Sequence, residues 1–275
     1  MTQSDVTLDL ELLTAIEQLC REAGQAILAV ARGGELGTRA KADDSPVTAA
    51  DMAAHHVLVE GLARLTPQIP VLSEESDKAD IAARRDWQTF WLVDPLDGTR
   101  EFVTGSSEYT VNVALIQGSR SVLGVVDAPV LETTWSGLAG VGAFREDATG
   151  RVAITVSPEP EVLRVVASKS HLDARTAALI ERLAPVENVS CGSSLKFCRI
   201  AEGNADLYPR YAPTSEWDTA AAQAVLEAAG GQVFDAESLP AQPRRLDYNA
   251  RDTLVNPFFI ACGQADGRWR QALEV

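Results

Sequence analysis

Two carboxylates three residues apart, Asp94 and Asp97, stand at the end of a hydrophobic run and directly before Gly98-Thr99. The stretch Trp91-Leu-Val-Asp94-Pro95-Leu-Asp97-Gly98-Thr99-Arg100-Glu-Phe102 turns from apolar to acidic around a proline, then into a pair that can open a helix. A buried strand would deliver both acids to its carboxyl end, with backbone N–H groups immediately beyond them. Carboxylates beside helix-opening amides can hold hard cations and a phosphate together. An Asp-Pro turn followed by a helix cap explains either acid alone. It explains less well two acids and a Gly-Thr at one strand end.

Further acids stand at comparable places. Ile69-Pro-Val71-Leu72 reads as a short strand running into Ser73-Glu74-Glu75-Ser76, so Glu74 ends an apolar strand as Asp94 does. Thr48-Ala-Ala-Asp51 opens a helical run through Val57, Leu58 and Leu62. There Asp51 has two readings, a capping box with Thr48 or a carboxylate aimed at a site, and spacing alone favours the cap. Asp218 begins the segment Trp217-Asp218-Thr-Ala-Ala-Ala, which runs to Gly230-Gly231 and is strongly helical. An N-cap is the simpler reading for it, a third acidic ligand the other. Cys191-Gly-Ser193-Ser194-Leu-Lys196 opens a helix with small hydroxyl residues and a lysine, a weak anion-site signal by itself.

The elements that must position these groups follow from periodicity. Leu12, Ile16, Leu19, Ala23 and Ile27 describe an amphipathic first helix ending at Gly33-Gly34. Residues 35–47 read as a loop and 77–89 as a polar segment. Strands are expected at 110–116 and 122–126 around Gly118-Ser-Arg, then at 130–136, 141–145 and 151–156. Near Ser157-Pro158 the pattern changes to alternating strand and helix: strand 162–167, helix 174–183, strand 186–190. This gives two units: 1–156, helices plus a largely antiparallel sheet carrying most candidate ligands, and 157–275, a smaller mixed α/β unit carrying Asp218.

The 275 residues carry 24 basic and 39 acidic side chains, a net charge of −15, and 46% are hydrophobic. A packed core is expected, and a nucleic-acid polymer is an unsuitable partner for so acidic a chain. A small anion remains compatible, because bound divalent cations reverse the local potential. Cys20, Cys191, Cys198 and Cys262 form no CxxC pair, which points to a reduced, cytoplasmic chain. The amino terminus has no signal-peptide pattern, and no apolar run approaches the roughly 20 residues that span a bilayer.

Four segments together carry a resemblance: Ser45-Pro-Val-Thr-Ala-Ala-Asp51, Ser73-Glu74-Glu75, Asp94-Pro-Leu-Asp97-Gly-Thr99 and Trp217-Asp218-Thr-Ala-Ala. In these the chain resembles the lithium-sensitive, magnesium-dependent phosphatases of the inositol monophosphatase superfamily. Ser168-Lys-Ser170-His171, Gly192-Ser-Ser-Leu-Lys-Phe-Cys198, Leu207-Tyr-Pro-Arg210, Leu246-Asp-Tyr248 and Leu254-Val-Asn-Pro257 are similar to its bacterial bisphosphate nucleotidase branch. The resemblance implies a five-layered αβαβα fold of the sugar-phosphatase kind, with metal bound between the halves. It implies that Asp94 bridges two Mg²⁺ ions. Glu74 and the backbone oxygen of Leu96 complete the first and Asp97 and Asp218 the second, with a weaker third ion near Glu74 and Asp51. Five carboxylates so close would repel one another without cations.

The same resemblance implies attack by a metal-bound water polarised by Thr99, Asp51 and Glu74, with the phosphate held by the amides of Gly98 and Thr99. Ser193, Ser194, Lys196, Arg210 and His171 would contact the rest of a nucleotide substrate, and His55 and His56 would be structural. The expected substrate is adenosine 3′,5′-bisphosphate, a by-product of sulfate assimilation, or its sulfated form, with AMP released. The alternative is inositol monophosphatase or fructose-1,6-bisphosphatase activity in the same fold. A monomer or homodimer is expected, in the cytoplasm; the resemblance leaves room for peripheral association with the inner membrane, which no amphipathic basic helix in the sequence supports.

Overall fold

The computed structural model describes residues 6–33, 39–40, 46–167 and 173–273. Within these, α1 (Leu10–Gly33) leads through the two-residue strands β1 (Arg39–Ala40) and β2 (Pro46–Val47) to α2 (Ala49–Leu65). The expected loop over 35–47 therefore contains a short antiparallel pair, Arg39 opposite Val47 and Ala40 opposite Pro46. Strands this short leave no alternation to read. After β3 (Val71–Ser73), the polar 77–89 segment holds α3 (Lys78–Ala83), whose N-cap Asp77 accepts from the amides of Ala79 and Asp80.

Then come β4 (Thr89–Asp97), α4 (Thr99–Val103), β5 (Thr110–Gln117), β6 (Arg120–Ala128), β7 (Thr133–Leu138), β8 (Gly142–Asp147) and β9 (Gly150–Ile154). They form a seven-stranded sheet in the order β3-β4-β5-β6-β7-β8-β9, parallel only between β3 and β4. The remainder is β10 (Leu163–Ala167), α5 (Ala174–Leu183), β11 (Val186–Ser190), α6 (Leu195–Ala201), β12 (Leu207–Arg210), α7 (Ala220–Ala228), β13 (Gln232–Asp235) and β14 (Phe259–Cys262). Its five strands form a mixed sheet, β11-β10-β12-β14-β13.

Alternation along β4 explains the layering. Trp91 and Val93 face a core shared with Leu13, Ile16 and Leu19 of α1 and Leu58 and Leu62 of α2. Phe90 and Leu92 face the opposite core, with Leu195 and Cys198 of α6, Val225 of α7 and Tyr208 and Ala261 of the second sheet. The far face of that sheet packs Val165, Leu207 and Ile260 on Leu179 of α5 and Trp269. Strands buried on both faces read as near-continuous apolar runs, which is how β4 and β5 read. The result is five layers, αβαβα. In the middle one α7 lies directly on β6 and β7. A Cβ at Gly124 would come within 2.1 Å of the Ala221 carbonyl oxygen, and one at Gly137 within 2.6 Å of Val225 Cα. No helix among the described residues is long and apolar enough to cross a membrane.

Candidate active site

Asp94 and Asp97 leave β4 at a break in its pairing with β5. Asp94 lies opposite Asn112 and Asp97 opposite Thr110, with the register shifting between them. The Asp94 side chain is fully buried and its Oδ1 accepts from the Leu96 amide at 3.1 Å. Gly98 follows in the left-handed region at φ +92°, which lets the chain turn at once into α4. Glu74 continues β3 beside them, its amide bonded to the Val93 carbonyl at 3.0 Å.

Asp218 comes from the other half. Spacing places it at a helix start, as an N-cap or a third acidic ligand. It is instead the last residue of a 3₁₀ turn, Glu216–Asp218, and its Oδ2 accepts from the Ser215 amide at 2.7 Å. The helix proper begins at Ala220. Asp94, Asp97 and Asp218 nevertheless converge: each places a carboxylate oxygen within 4.8 Å of the other two. Burial first, then the charges of Glu74, Asp97 and Asp218, drives the Asp94 carboxyl well above the usual range. Burial and Asp97 push Asp218 to about 8. Asp97 also rises through burial, against the bonds from Ser193 and Ser194 and the charge of Lys196. Acids held together at such a cost are suited to a hard cation. The donors are all oxygen, which is the chemistry that Mg²⁺ takes.

The capping reading of Asp51 holds, and its second oxygen has a different neighbour. Its Oδ2 accepts from the Thr48 amide at 2.7 Å and the Thr48 hydroxyl at 2.6 Å, completing the capping box. Its Oδ1 lies 3.4 Å from the Thr99 hydroxyl, which is also 3.3 Å from the Leu96 carbonyl oxygen. One carboxylate thus caps α2 with one oxygen and faces Thr99 with the other.

A cleft of about 450 Å³ opens between the halves. Asp97, Gly98, Ser193, Lys196, Arg210 and Asp218 line it. Lys196 is 6% exposed, donates to the Ser193 carbonyl at 2.9 Å and lies 5.5 Å from the Tyr208 ring centroid. The Nε of Arg210 is buried with no hydrogen-bond partner. Ser194 departs from expectation and does not line the cleft. Its hydroxyl donates to Asn112 Oδ1 at 2.7 Å and meets Thr110 Oγ1 at 2.8 Å, both on β5. His171, with the whole Ser168–His171 segment, lies outside the described residues, as does Ser45. His55 bonds Ser73 Oγ through Nδ1 at 2.9 Å, directly behind Glu74. A larger cavity, about 630 Å³, lies away from these acids against α5, between Arg175 and Tyr211.

Sequence reasoning missed three contributors. Arg100 lines the cleft on the first-half side. Asn112 stands buried within the largely apolar strand β5, and that mismatch is its signal in the sequence. Asn256 holds the loop bearing Asp218. All four cysteines are buried and burial raises every thiol, so none is an evident nucleophile.

The sequence profile of the inositol monophosphatase family matches residues 9–272. A 3′(2′),5′-bisphosphate nucleotidase CysQ of Escherichia coli O157:H7 is 48% identical over 90% of this chain and 98% of its own length. That of Haemophilus influenzae is 35% identical over 85% of this chain and 86% of its own. Among solved structures, CysQ from Bacteroides thetaiotaomicron superposes with a TM-score of 0.81 at 38% identity, covering 93% of this chain and 98% of that one.

Proposed function

Because the chain belongs to the inositol monophosphatase family, we propose that it is a 3′(2′),5′-bisphosphate nucleotidase. It hydrolyses the 3′-phosphate of adenosine 3′,5′-bisphosphate, or of the sulfated form, to release AMP and phosphate from the former. The carrying observation is the convergence of Asp94, Asp97 and Asp218 within 4.8 Å at the edge of a cleft that also holds Lys196 and Arg210. The similarity to the CysQ nucleotidases supports the substrate class.

In this reading Asp94, Asp97, Asp218, Glu74 and the Leu96 carbonyl oxygen would hold two Mg²⁺ ions, and Glu74 and Asp51 would serve a third. Bound Mg²⁺ supplies charge neutralisation and polarises the oxygens of water and phosphate during in-line transfer. The chain's own groups do the rest. The attacking water donates toward the Thr99 hydroxyl, which in turn donates to Asp51 Oδ1, so the proton has a route to that carboxylate. Asp51 is held for that role by the Thr48 bonds on its other oxygen. The amides of Gly98 and Thr99 hold the phosphate as charge builds on it.

Lys196 and Arg210 take the second phosphate, with Ser193 on the same wall. The place of Arg210 on the cleft wall and the nearly buried Lys196 support that assignment. The same reading divides the chain between residues 156 and 157, since the sheet of residues 71–154 and that of residues 163–262 share no strand.

Purified protein with Mg²⁺, offered bisphosphate nucleotides, inositol phosphates and sugar bisphosphates, is expected to release phosphate fastest from adenosine 3′,5′-bisphosphate. Faster release from inositol 1-phosphate would overturn the substrate assignment in favour of the monophosphatase alternative. Lithium at low concentration is expected to inhibit.

A further inference from the structure

The second half of the chain also grips a metal-site carboxylate of the first. The Ser194 amide donates to Asp97 Oδ2 at 2.6 Å, and the Ser193 hydroxyl donates to the Asp97 carbonyl at 2.8 Å. Lys196 Nζ closes the turn on the Ser193 carbonyl at 2.9 Å. Ser193 itself sits at φ +51°, a region that a residue with a Cβ holds only under constraint.

The constraint comes from β5. Asn112 Nδ2 donates to Thr110 Oγ1 at 3.2 Å, Thr110 Oγ1 meets Ser194 Oγ at 2.8 Å, and Ser194 Oγ donates to Asn112 Oδ1 at 2.7 Å. If Thr110 is the donor to Ser194, these three bonds form a closed ring in which each group donates once. All three residues are almost completely buried. Thr110 and Asn112 are the cross-strand partners of Asp97 and Asp94, so the ring lies directly behind both acids.

We infer that Ser194 and Asn112 are positioning residues for the bound cation: their ring fixes the Ser194 amide on Asp97 and so fixes the orientation of that carboxylate. This rests on the reading of Asp97 as a metal ligand. It gives the Ser193–Lys196 turn two tasks, one wall of the substrate cleft and the support of a ligand. Groups that orient ligands typically change metal affinity by about 10–100-fold when removed.

The test is the Mg²⁺ dissociation constant of the metal-free protein by calorimetry, with kcat followed against Mg²⁺ concentration. Ser194→Ala is expected to weaken Mg²⁺ about tenfold, with kcat regained at saturating Mg²⁺. Asn112→Ala, which opens the ring from the β5 side, is expected to do the same. Thr66→Val is the control for lost buried hydrogen bonding, since Thr66 Oγ1 accepts from Trp91 Nε1 at 2.8 Å away from the acids. It should lower the melting temperature and leave Mg²⁺ affinity unchanged. Parental affinity in both ring variants, or equal weakening in Thr66→Val, overturns the inference. Asp97→Asn separates the two levels. If it abolishes Mg²⁺ binding while the ring variants do not weaken it, only the positioning role fails. If it binds as the parent does, the ligand reading fails as well.

Discussion

The two halves bring carboxylates to one point by different means. Asp94 and Asp97 ride on β4, which is paired to β3 on one side and β5 on the other. Asp94 is set by main-chain pairing with Asn112, and Asp97, just past a register shift, is still opposite Thr110 on the same strand and is held in addition by Ser193 and Ser194. Asp218 rides on a 3₁₀ turn whose only main-chain tie to the tail, among the described residues, is one isolated antiparallel bridge, Ser215 opposite Val255. Side chains from the tail hold that turn: Asn256 Nδ2 donates to the Ser215 carbonyl at 2.6 Å and to Thr219 Oγ1 at 3.0 Å. The Glu216 amide donates to the Leu254 carbonyl at 2.8 Å, and Tyr248 OH donates to Gln223 at 2.7 Å. The Glu216 carboxylate is fully buried and meets Arg251 at 3.2 Å and the Asn249 amide at 2.9 Å. A ladder distributes the work of positioning over many equivalent bonds. The tail concentrates it in one short bridge and a few side chains, so the second half should be the more vulnerable to single substitutions outside the cleft.

The largest effect tests the ladder-borne acid itself. Asp94→Asn should lose on the order of a thousandfold or more in phosphate release while its circular dichroism spectrum stays that of the parent. Retained turnover would remove Asp94 from the centre of the site. The contrast sharpens with Asn256→Ala, which touches no candidate ligand. It should lower activity by about 10–100-fold and unfolding stability by about 1–3 kcal/mol, because buried acceptors lose their donor. Its counterpart Val113→Ala truncates a buried side chain opposite Val93 on the ladder. That variant should melt earlier with kcat unchanged; equal loss of kcat in both variants would erase the distinction between the halves.

The smallest effect is in pH. In the folded, metal-free chain Asp94, Asp97 and Asp218 hold their protons to higher pH than the ordinary 3.8, Asp218 to about 8. Their folded values are raised, so this stability is full below about pH 4 and is lost as pH rises toward about 8, because the unfolded chain has already released its protons. Mg²⁺ replaces those protons. The melting-temperature gap between Mg²⁺-loaded and chelator-treated protein should therefore widen from about pH 5.5 to about pH 8. An unchanged gap would mean that these acids do not share a cation.

Much of this was legible before any coordinates. The apolar run into Asp94 carried the strand, because β4 is buried on both faces and cannot afford polar residues until it ends. Gly98-Thr99 carried the turn into α4. The change of pattern near residue 157 lies between the two sheets. The pair β1–β2 and the helix α3 were not legible, since two-residue strands have no period and α3 is one short exposed helix. At Asp51 spacing favoured the cap, and geometry adds a second contact at Thr99, because a carboxylate has two oxygens and each found its own partner.

By itself, then, the sequence determined what is local or carried by type and spacing: strand ends bearing acids, an oxygen-only donor set, and four segments in the order of a phosphatase family. Only the tertiary structure decided which groups share a point in space. It brought Asp218 to Asp97, turned the Ser194 hydroxyl inward to Asn112 instead of into the cleft, and left Lys196 and Arg210 on the cleft wall. The reason is physical. A side chain's direction at a turn is fixed by long-range partners, and residues on strand β5 and in the tail leave no mark in the local pattern of the segments they hold.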